Sequence, residues 1–468
     1  MIFKEIIGYT YLHKPLVIVH FYHEKYKKLN CNLRLKVFIM AGQHGDEKYG
    51  QFAINRLMQL LTDNCNLQME SFFEIAFLKN ANPDGSIQNQ RTNAIGLDLN
   101  RDHLRLESNE TKAIHSFVRD WNPHIIIDIH NYPPRRKHLI AKNLIYYHDI
   151  FIDVPTNPAS ITSTTIDHLP NYNTIINDFF DFVKLHLKNQ DILCERYTIV
   201  KPSGIVRHST IDIVDARNSL STRYGNLTIL LEGKNPAKRD GQKGKEHIIN
   251  AQFQALSIIL KWLSISVNRN YFLTNLNDKR TSSIGDKVAI RSKYNKNKSN
   301  FTMTFKDSIT KLPIEIDLND YSSYLEVTKY IKLPNAYAVP LHNSQIIEIL
   351  KRHGFVENKL PDNQDINIEY YYYTSSVGND NPTISSRKFL NDDNSIIKEL
   401  KKKSFVKIKK KIKTLNNYII YYISQPGGHF LAVLLEPRSK YGLYRYKDLG
   451  ISYSTTSNDF YYPILRIV

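Results

Sequence analysis

Short apolar runs alternate with longer amphipathic stretches through the first half of the chain. "LKVFIM", "FFEIAFL", "HIIIDIH" and "NLTILLE" are apolar at nearly every position, the pattern of strands buried on both faces. Between and after them the period changes. In "ESNETKAIHSFVRDW", Ile114, Phe117, Val118 and Trp121 recur on one face of a helix, and "TIINDFFDFVKLHLK" and "HIINAQFQALSIILKWL" are helical by the same test. Strands alternating with helices predict an α/β fold: a mixed twisted sheet with helices on both faces.

After Leu263 the texture shifts. Residues 266–330 are polar, with "RTSSIGDK" and "RSKYNKNKSN" having the composition of loops and turns. From about Leu333 the apolar runs return as "AYAVP", a short helical "SQIIEILKRHG", "NIEYYYYT", "NYIIYYI", "FLAVLLE" and "YYPILRIV". The expected organisation is therefore an α/β domain over residues 1–265, a polar linker or insertion over 266–330, and a smaller, mainly β C-terminal domain over 331–468.

Composition narrows the class without naming a function. The 468 residues are 42% hydrophobic and 23% charged, a globular balance. No apolar run approaches the roughly 18 residues of a membrane helix, so no integral membrane segment is expected. The start lacks the basic–apolar–small order of a leader. That points to the cytoplasm on the sequence given, or to the periplasm or exterior if a leader was removed. Three scattered cysteines, Cys31, Cys65 and Cys194, make no disulfide framework. The net charge is +18, densest in Lys401 to Lys413, "KKKSFVKIKKKIK". This run is expected as a solvated face or an edge strand guarded by lysines, and no nucleic-acid motif accompanies it.

Chemistry gathers where the apolar runs end. "KVFIMAGQHGDE" ends in His44 and Glu47, "FEIAFLKNANPDG" in Asn82-Pro83-Asp84-Gly85, "HIIIDIH" in His130, and "NLTILLEG" in Glu232. In an open α/β sheet, ligands bind beyond the carboxyl ends of the strands, so these groups are expected to face one crevice. Alone, the histidine and carboxylate of "HGDE" are an ordinary polar turn, and His130 alone is a satisfied core histidine. Together, two imidazoles and one carboxylate suit a catalytic zinc that keeps one position open. Asp98 is a candidate to hold the outer nitrogen of His44, and Asp128 lies on the same side of its strand as His130.

The stretch "NPDGSIQNQRTNAIGLDLNRDH" places Arg91, Asn93, Gly96, Asp98, Leu99, Asn100, Arg101 and Asp102 in a fixed pattern between the two candidate ligand segments. With HxxE before it and a strand-terminal His and late Glu after it, the chain resembles the zinc carboxypeptidase family over about residues 8 to 263. The tail segments "AYAVP…ILKRHG" and "QPGGHFLAVLLEP" are similar to a bacterial branch.

That resemblance implies one Zn2+ ion on His44, Glu47 and His130, with Asp98 behind them. It implies Arg91 as a polarising donor, Asn100 with Arg101 as the clamp on a terminal carboxylate, and Glu232 as the catalytic carboxylate. The expected partner is a peptide with a free C-terminus, a peptidoglycan stem peptide included. The chemistry agrees: a guanidinium fork suits a carboxylate, and an amide needs a base that returns its proton to the leaving amine. Tyr224 stands too near Glu232 to be the mobile tyrosine of the digestive members, and Arg217 is a further candidate for substrate contact. A deacylase of N-acyl amino acids, similar to aspartoacylase or succinylglutamate desuccinylase, is the alternative on the same metal set, and a noncatalytic binding protein with such a pocket is a third.

Overall fold

The computed structural model describes residues 2–21, 34–63, 72–133, 144–159, 171–200, 206–237, 240–276, 282–295, 301–307, 309–310, 312–318, 321–322, 324–361, 365–374, 405–449, 454–456 and 459–468. It divides into two compact units, Met1–Asp278 with Lys293–Glu326, and Lys279–Ser292 with Val327–Val468.

The first unit is built on an eight-stranded mixed sheet. Its strands are β1 (Ile2–Tyr9), β2 (Pro15–Phe21), β3 (Leu35–Ala41), β4 (Phe73–Leu78), β5 (Ile125–Tyr132), β7 (Ile150–Asp153), β8 (Cys194–Arg196) and β11 (Leu227–Lys234), in the spatial order β1-β2-β4-β3-β5-β11-β7-β8. The three short strands that complete the numbering, β6 (Leu144–Tyr146), β9 (Thr198–Val200) and β10 (Val206–His208), lie outside it. The central four, β4, β3, β5 and β11, run parallel. All four "LKVFIM"-type runs form these strands, because a parallel strand under helices on both sides buries both of its faces. All eight residues of β5 are buried.

Alternate side chains divide between two cores. Val37, Ile39, Ile127, Ile129, Ile229 and Leu231 face α1 (Tyr49–Asp63), α4 (Tyr172–Lys188), α6 (Gly241–Ser264) and α7 (Ser266–Leu276). Phe38, Met40 and Ile126 face α3 (Asn109–Trp121) and α5 (Ala216–Tyr224). Ile114, Phe117 and Val118 supply the buried stripe of α3, and the short α2 (Pro83–Gln88) sits outside these layers. Among the described residues no single helix is long and apolar enough to cross a membrane; α6 and α7 are bent by 80° where they meet.

The division of the chain differs from the expected 1–265, 266–330 and 331–468. Helix α7 inserts Phe272, Leu273 and Leu276 into the first core, and residues 293–326 belong to the same unit. There β13 (Phe301–Asp307) pairs with β14 (Pro313–Leu318) and with β6. Met303 and Phe305 alternate into a small core with Phe151 and Tyr197 while their neighbours face outward. A strand with one wet face is polar in aggregate, which is why the segment has the composition of a loop. β12 (Lys287–Asn295) and β16 (Tyr324–Lys332) form a two-stranded ribbon, and β15 (Tyr321–Ser322) pairs with β10.

The second unit holds a sheet of β17 (Ala336–Pro340), β18 (Ile366–Thr374), β19 (Phe405–Ile412), β20 (Tyr418–Tyr422), β21 (Ser454–Thr456), β22 (Asp459–Tyr461) and β23 (Leu465–Ile467), with helices α8 (Ser344–Arg352) and α9 (His429–Leu435). "FLAVLLE" is helical, since a fully buried apolar run does not distinguish strand from helix. Just past α9, Glu436 is completely buried and accepts from Arg466, Tyr337 and Tyr371. Of the lysine run, residues 401–404 lie outside the described residues. Residues 405–412 are β19, which pairs with β18 alone among the described residues and exposes Lys409, Lys410 and Lys411.

Candidate functional site

Three chain segments leave the parallel strands and meet. His44 and Glu47 follow β3, His130 stands near the end of β5, and Glu232 stands in β11 at the register position paired with His130. Glycines make the meeting possible. A Cβ on Gly45 would lie 2.1 Å from the Gly85 carbonyl carbon, so the loop carrying His44 packs directly on α2. The "NPDG" segment earns that contact: Asn82 caps α2 by accepting from the Gly85 amide at 2.9 Å and donates to the Gln43 carbonyl at 3.2 Å.

The pattern from Arg91 to Arg101 is a folded turn. Asn93 Oδ1 accepts from the amides of Ile95 and Leu97, its Nδ2 donates to Glu110, and Gly96 takes φ +79. The turn delivers Asp98 and Arg91 to the same place. Beyond the short Leu99–Arg101 turn, Asp102 faces away and accepts from the amides of Glu107 and Ser108 at the start of α3.

His44 Nδ1 lies 2.8 Å from Glu47 Oε1, His130 Nδ1 lies 2.9 Å from Glu47 Oε2, and the two Nδ1 atoms are 3.2 Å apart. Ligand atoms of the three residues all fall within 4.8 Å of one another, and all three residues are buried. Each outer ring nitrogen meets a carboxylate: His44 Nε2 is 3.1 Å from Asp98 Oδ1, and His130 Nε2 is 3.0 Å from Asp128 Oδ2. With those nitrogens donating, both Nδ1 atoms turn lone pairs toward the Glu47 carboxylate. The cluster fits a metal site, because a cation is what two facing lone pairs and a carboxylate lack.

The electrostatics agree. Burial disfavours charge on His44, but Glu47 and Asp98 outweigh it and raise its pKa above 6.5. Burial likewise opposes His130, and Asp128 with Glu47 raises it well above that value. Glu47 and Asp98 are held below the usual carboxylate range against burial, Glu47 by the two histidines and Asp98 by His44 and Arg91.

Arg91 is anchored through Nε on Asp98 Oδ2 at 2.9 Å, which leaves Nη1 3.2 Å from His44 Nδ1 and 3.6 Å from Glu47 Oε1, with the side chain 45% exposed. Asn100 Oδ1 accepts from the Ala216 amide at 2.9 Å, and its Nδ2 is 3.2 Å from His130 Nε2. Arg101 donates to the Asn100 carbonyl at 2.6 Å and, among the described residues, has no acidic partner within 4.0 Å.

Two residues fall elsewhere. Arg217, a candidate for substrate contact, is buried and ion-paired to Asp153 Oδ2 at 2.7 Å, with Ser209 Oγ and the Thr210 carbonyl as further acceptors. That set of partners fixes the guanidinium inside the fold. Tyr224 ends α5 with its hydroxyl 3.1 Å from His115 Nδ1, away from the ligand cluster. Sequence reasoning also missed Gln43 and His103, buried polar residues that stand behind Asp128. Gln43 adjoins His44, but nothing in the sequence pairs it with a histidine 60 positions on.

Residues 1–134 match the family model described as zinc carboxypeptidase. Carboxypeptidase 2 of Trichophyton rubrum is 31% identical over 126 residues, 26% of this chain and 23% of that protein. Carboxypeptidase 2 of Trichophyton tonsurans is 30% identical over 126 residues, with the same coverage of 26% and 23%. The matched segment thus spans about a quarter of these curated relatives. Among solved structures, a metallo-carboxypeptidase from Burkholderia cenocepacia aligns with 56% of this chain and 64% of its own at 18% identity and a TM-score of 0.42. A metallo-carboxypeptidase from Pseudomonas aeruginosa, in complex with (2-guanidinoethylmercapto)succinic acid, aligns with 57% and 65% at 17% identity and a TM-score of 0.42.

Proposed function

Starting from the match of residues 1–134 to the zinc carboxypeptidases, we propose that the protein is a zinc-dependent metallocarboxypeptidase that hydrolyses the C-terminal amide bond of a peptide. The observation that carries the proposal is the His44–Glu47–His130 cluster, with Asp98 and Asp128 on its outer nitrogens, together with the Arg101 guanidinium, which among the described residues has no acidic partner within 4.0 Å.

His44, Glu47 and His130 would hold one zinc ion, which when bound supplies Lewis acidity and brings the pKa of water from 15.7 to roughly 7. Arg101 takes the substrate's terminal carboxylate. A planar fork forms paired charge-assisted hydrogen bonds with both oxygens, and Asn100 borders that position. Glu232, in register beside His130, takes the proton of the attacking water and returns it to the leaving amine nitrogen. Arg91, tethered by Nε, keeps its outer nitrogens at the cluster and donates to the oxygen that becomes negative as the carbonyl is attacked. The released products are a shortened peptide and one amino acid, and peptidoglycan stem peptides are among the substrates to test.

The test is digestion of matched peptides by zinc-loaded protein, read by mass spectrometry, with each peptide supplied as free acid and as C-terminal amide. Loss of a single residue from the acids alone is the expected result. Equal cleavage of both forms would remove the carboxylate clamp. Release of acyl groups from N-acyl amino acids with no trimming of peptides would transfer the site to a deacylase.

A further inference from the structure

Behind the ligand cluster runs a line of buried polar side chains that the mechanism above does not use. Asp128, on the outer nitrogen of His130, accepts from Gln43 Nε2 at 2.9 Å on each of its oxygens. Gln43 Oε1 is 2.7 Å from His103 Nε2, and His103 Nδ1 is 3.1 Å from His115 Nε2. The Tyr224 hydroxyl stands 3.1 Å from His115 Nδ1 at the far end. Gln43, His103 and His115 are each completely buried.

The protons on this line follow from the carboxylate outward. Asp128 only accepts, so Gln43 must turn its amide nitrogen toward Asp128 and its oxygen toward His103. His103 must then carry its proton on Nε2. Burial lowers its pKa to about 4, so the ring is neutral and its Nδ1 is a bare acceptor. His115 must in turn present Nε2–H. Every bond between His115 and Asp128 therefore points toward Asp128, and only one tautomer of His103 satisfies the line.

We propose that Gln43 and His103 are positioning residues of the metal centre: by holding the Asp128 carboxylate as a pure acceptor, they fix His130 with its proton on Nε2 and its Nδ1 lone pair directed at the metal. A slack Asp128 would let the His130 ring swing or exchange tautomers, at a cost in metal affinity. The backbone of His103 explains why it can serve as a stop. Its amide donates to the Val214 carbonyl at 3.2 Å, and its carbonyl accepts from Ser219 Oγ on α5 at 2.7 Å. The proposal rests on the reading of His44, Glu47 and His130 as metal ligands.

The experiment compares zinc affinity, by competition with a fluorescent chelator, and the visible spectrum of the cobalt(II)-loaded protein, across the full-length wild type, Gln43→Leu, His103→Leu and His103→Gln. Loss of such an outer partner typically weakens metal binding about 10- to 100-fold, which is the expected result for both leucine variants, together with an altered cobalt spectrum. His103→Gln keeps one donor and one acceptor and is expected to restore both readouts. Should the leucine variants fail to fold, Gln43→Glu matches the native shape while opposing Asp128 with an acceptor, and the same loss is expected. Variants that bind zinc as tightly as the wild type while melting earlier would overturn the proposal and leave the carboxypeptidase reading intact. A wild type that binds no zinc would overturn both.

Discussion

His44 Nδ1 and His130 Nδ1 face each other at 3.2 Å, each with its other nitrogen on a buried or half-buried carboxylate. In the metal-free protein the surrounding carboxylates, Glu47 and Asp98 on His44 and Asp128 and Glu47 on His130, outweigh burial, raise the pKa of both rings and so demand positive charge at this point. A divalent cation meets the same demand more strongly. Zinc is therefore expected to stabilise the fold, by about 4 kcal/mol at a thousandfold excess over its Kd. Thermal melts with added zinc and with a chelator read this directly. Superimposable curves, with no metal retained after dialysis, would count decisively against a metal centre here.

Glu232 and Arg101 divide the proposed reaction between chemistry and recognition, so their variants should fail in different ways. Glu232→Gln removes the proton carrier and leaves the three proposed ligands, His44, Glu47 and His130, in place. Its kcat should fall by about 10²–10⁴, with zinc content unchanged. Arg101→Ala removes a charge-assisted contact worth about 1.5–3 kcal/mol, which should appear chiefly as a higher KM and as lost discrimination between free and amidated C-termini. Steady-state kinetics on one peptide pair measures both. Full turnover in Glu232→Gln would reassign the base.

His103 sets an acid limit on stability. Burial holds its folded pKa at about 4 against an ordinary value of 6.5. Between those two values the unfolded chain binds a proton there and the folded protein does not, so stability falls as pH drops through this window and is unaffected above it. His148, also lowered to about 4 by burial, acts in the same direction. Urea midpoints measured from pH 7 to pH 4 should decline, and His103→Gln, which cannot titrate, should decline less steeply. Parallel slopes would mean that His103 is protonated in the folded state.

The strands of the first sheet were legible because they are buried on both faces: "HIIIDIH" can be little other than an inner strand once its neighbours are apolar as well. The candidate ligands were legible because each follows such a run. What escaped depends on contacts between distant segments. Gln43 is an ordinary amide until Asp128 and His103, 85 and 60 residues away, close on it. Met303 and Phe305 face a core through a strand whose other face is wet, so the segment looked like a linker. Arg217 looked like a reagent because arginine is seldom buried, and only the position of Asp153 shows why this one is.

Arg217 then yields a prediction opposite to its expectation from sequence. Its guanidinium pairs with Asp153, which is completely buried and also has His208 Nε2 at 3.3 Å and Arg196 Nε at 3.5 Å. Removing one partner of a buried pair leaves the other charge stranded and typically costs about 3–5 kcal/mol. Arg217→Met should lower the urea midpoint by a corresponding amount. Combining it with Asp153→Asn should recover part of that loss, since the double variant strands no full charge. The KM of the fraction that remains folded should match the wild type. A variant of normal stability with a selectively raised KM would instead return Arg217 to the substrate, and would require its side chain to leave Asp153 when a peptide binds.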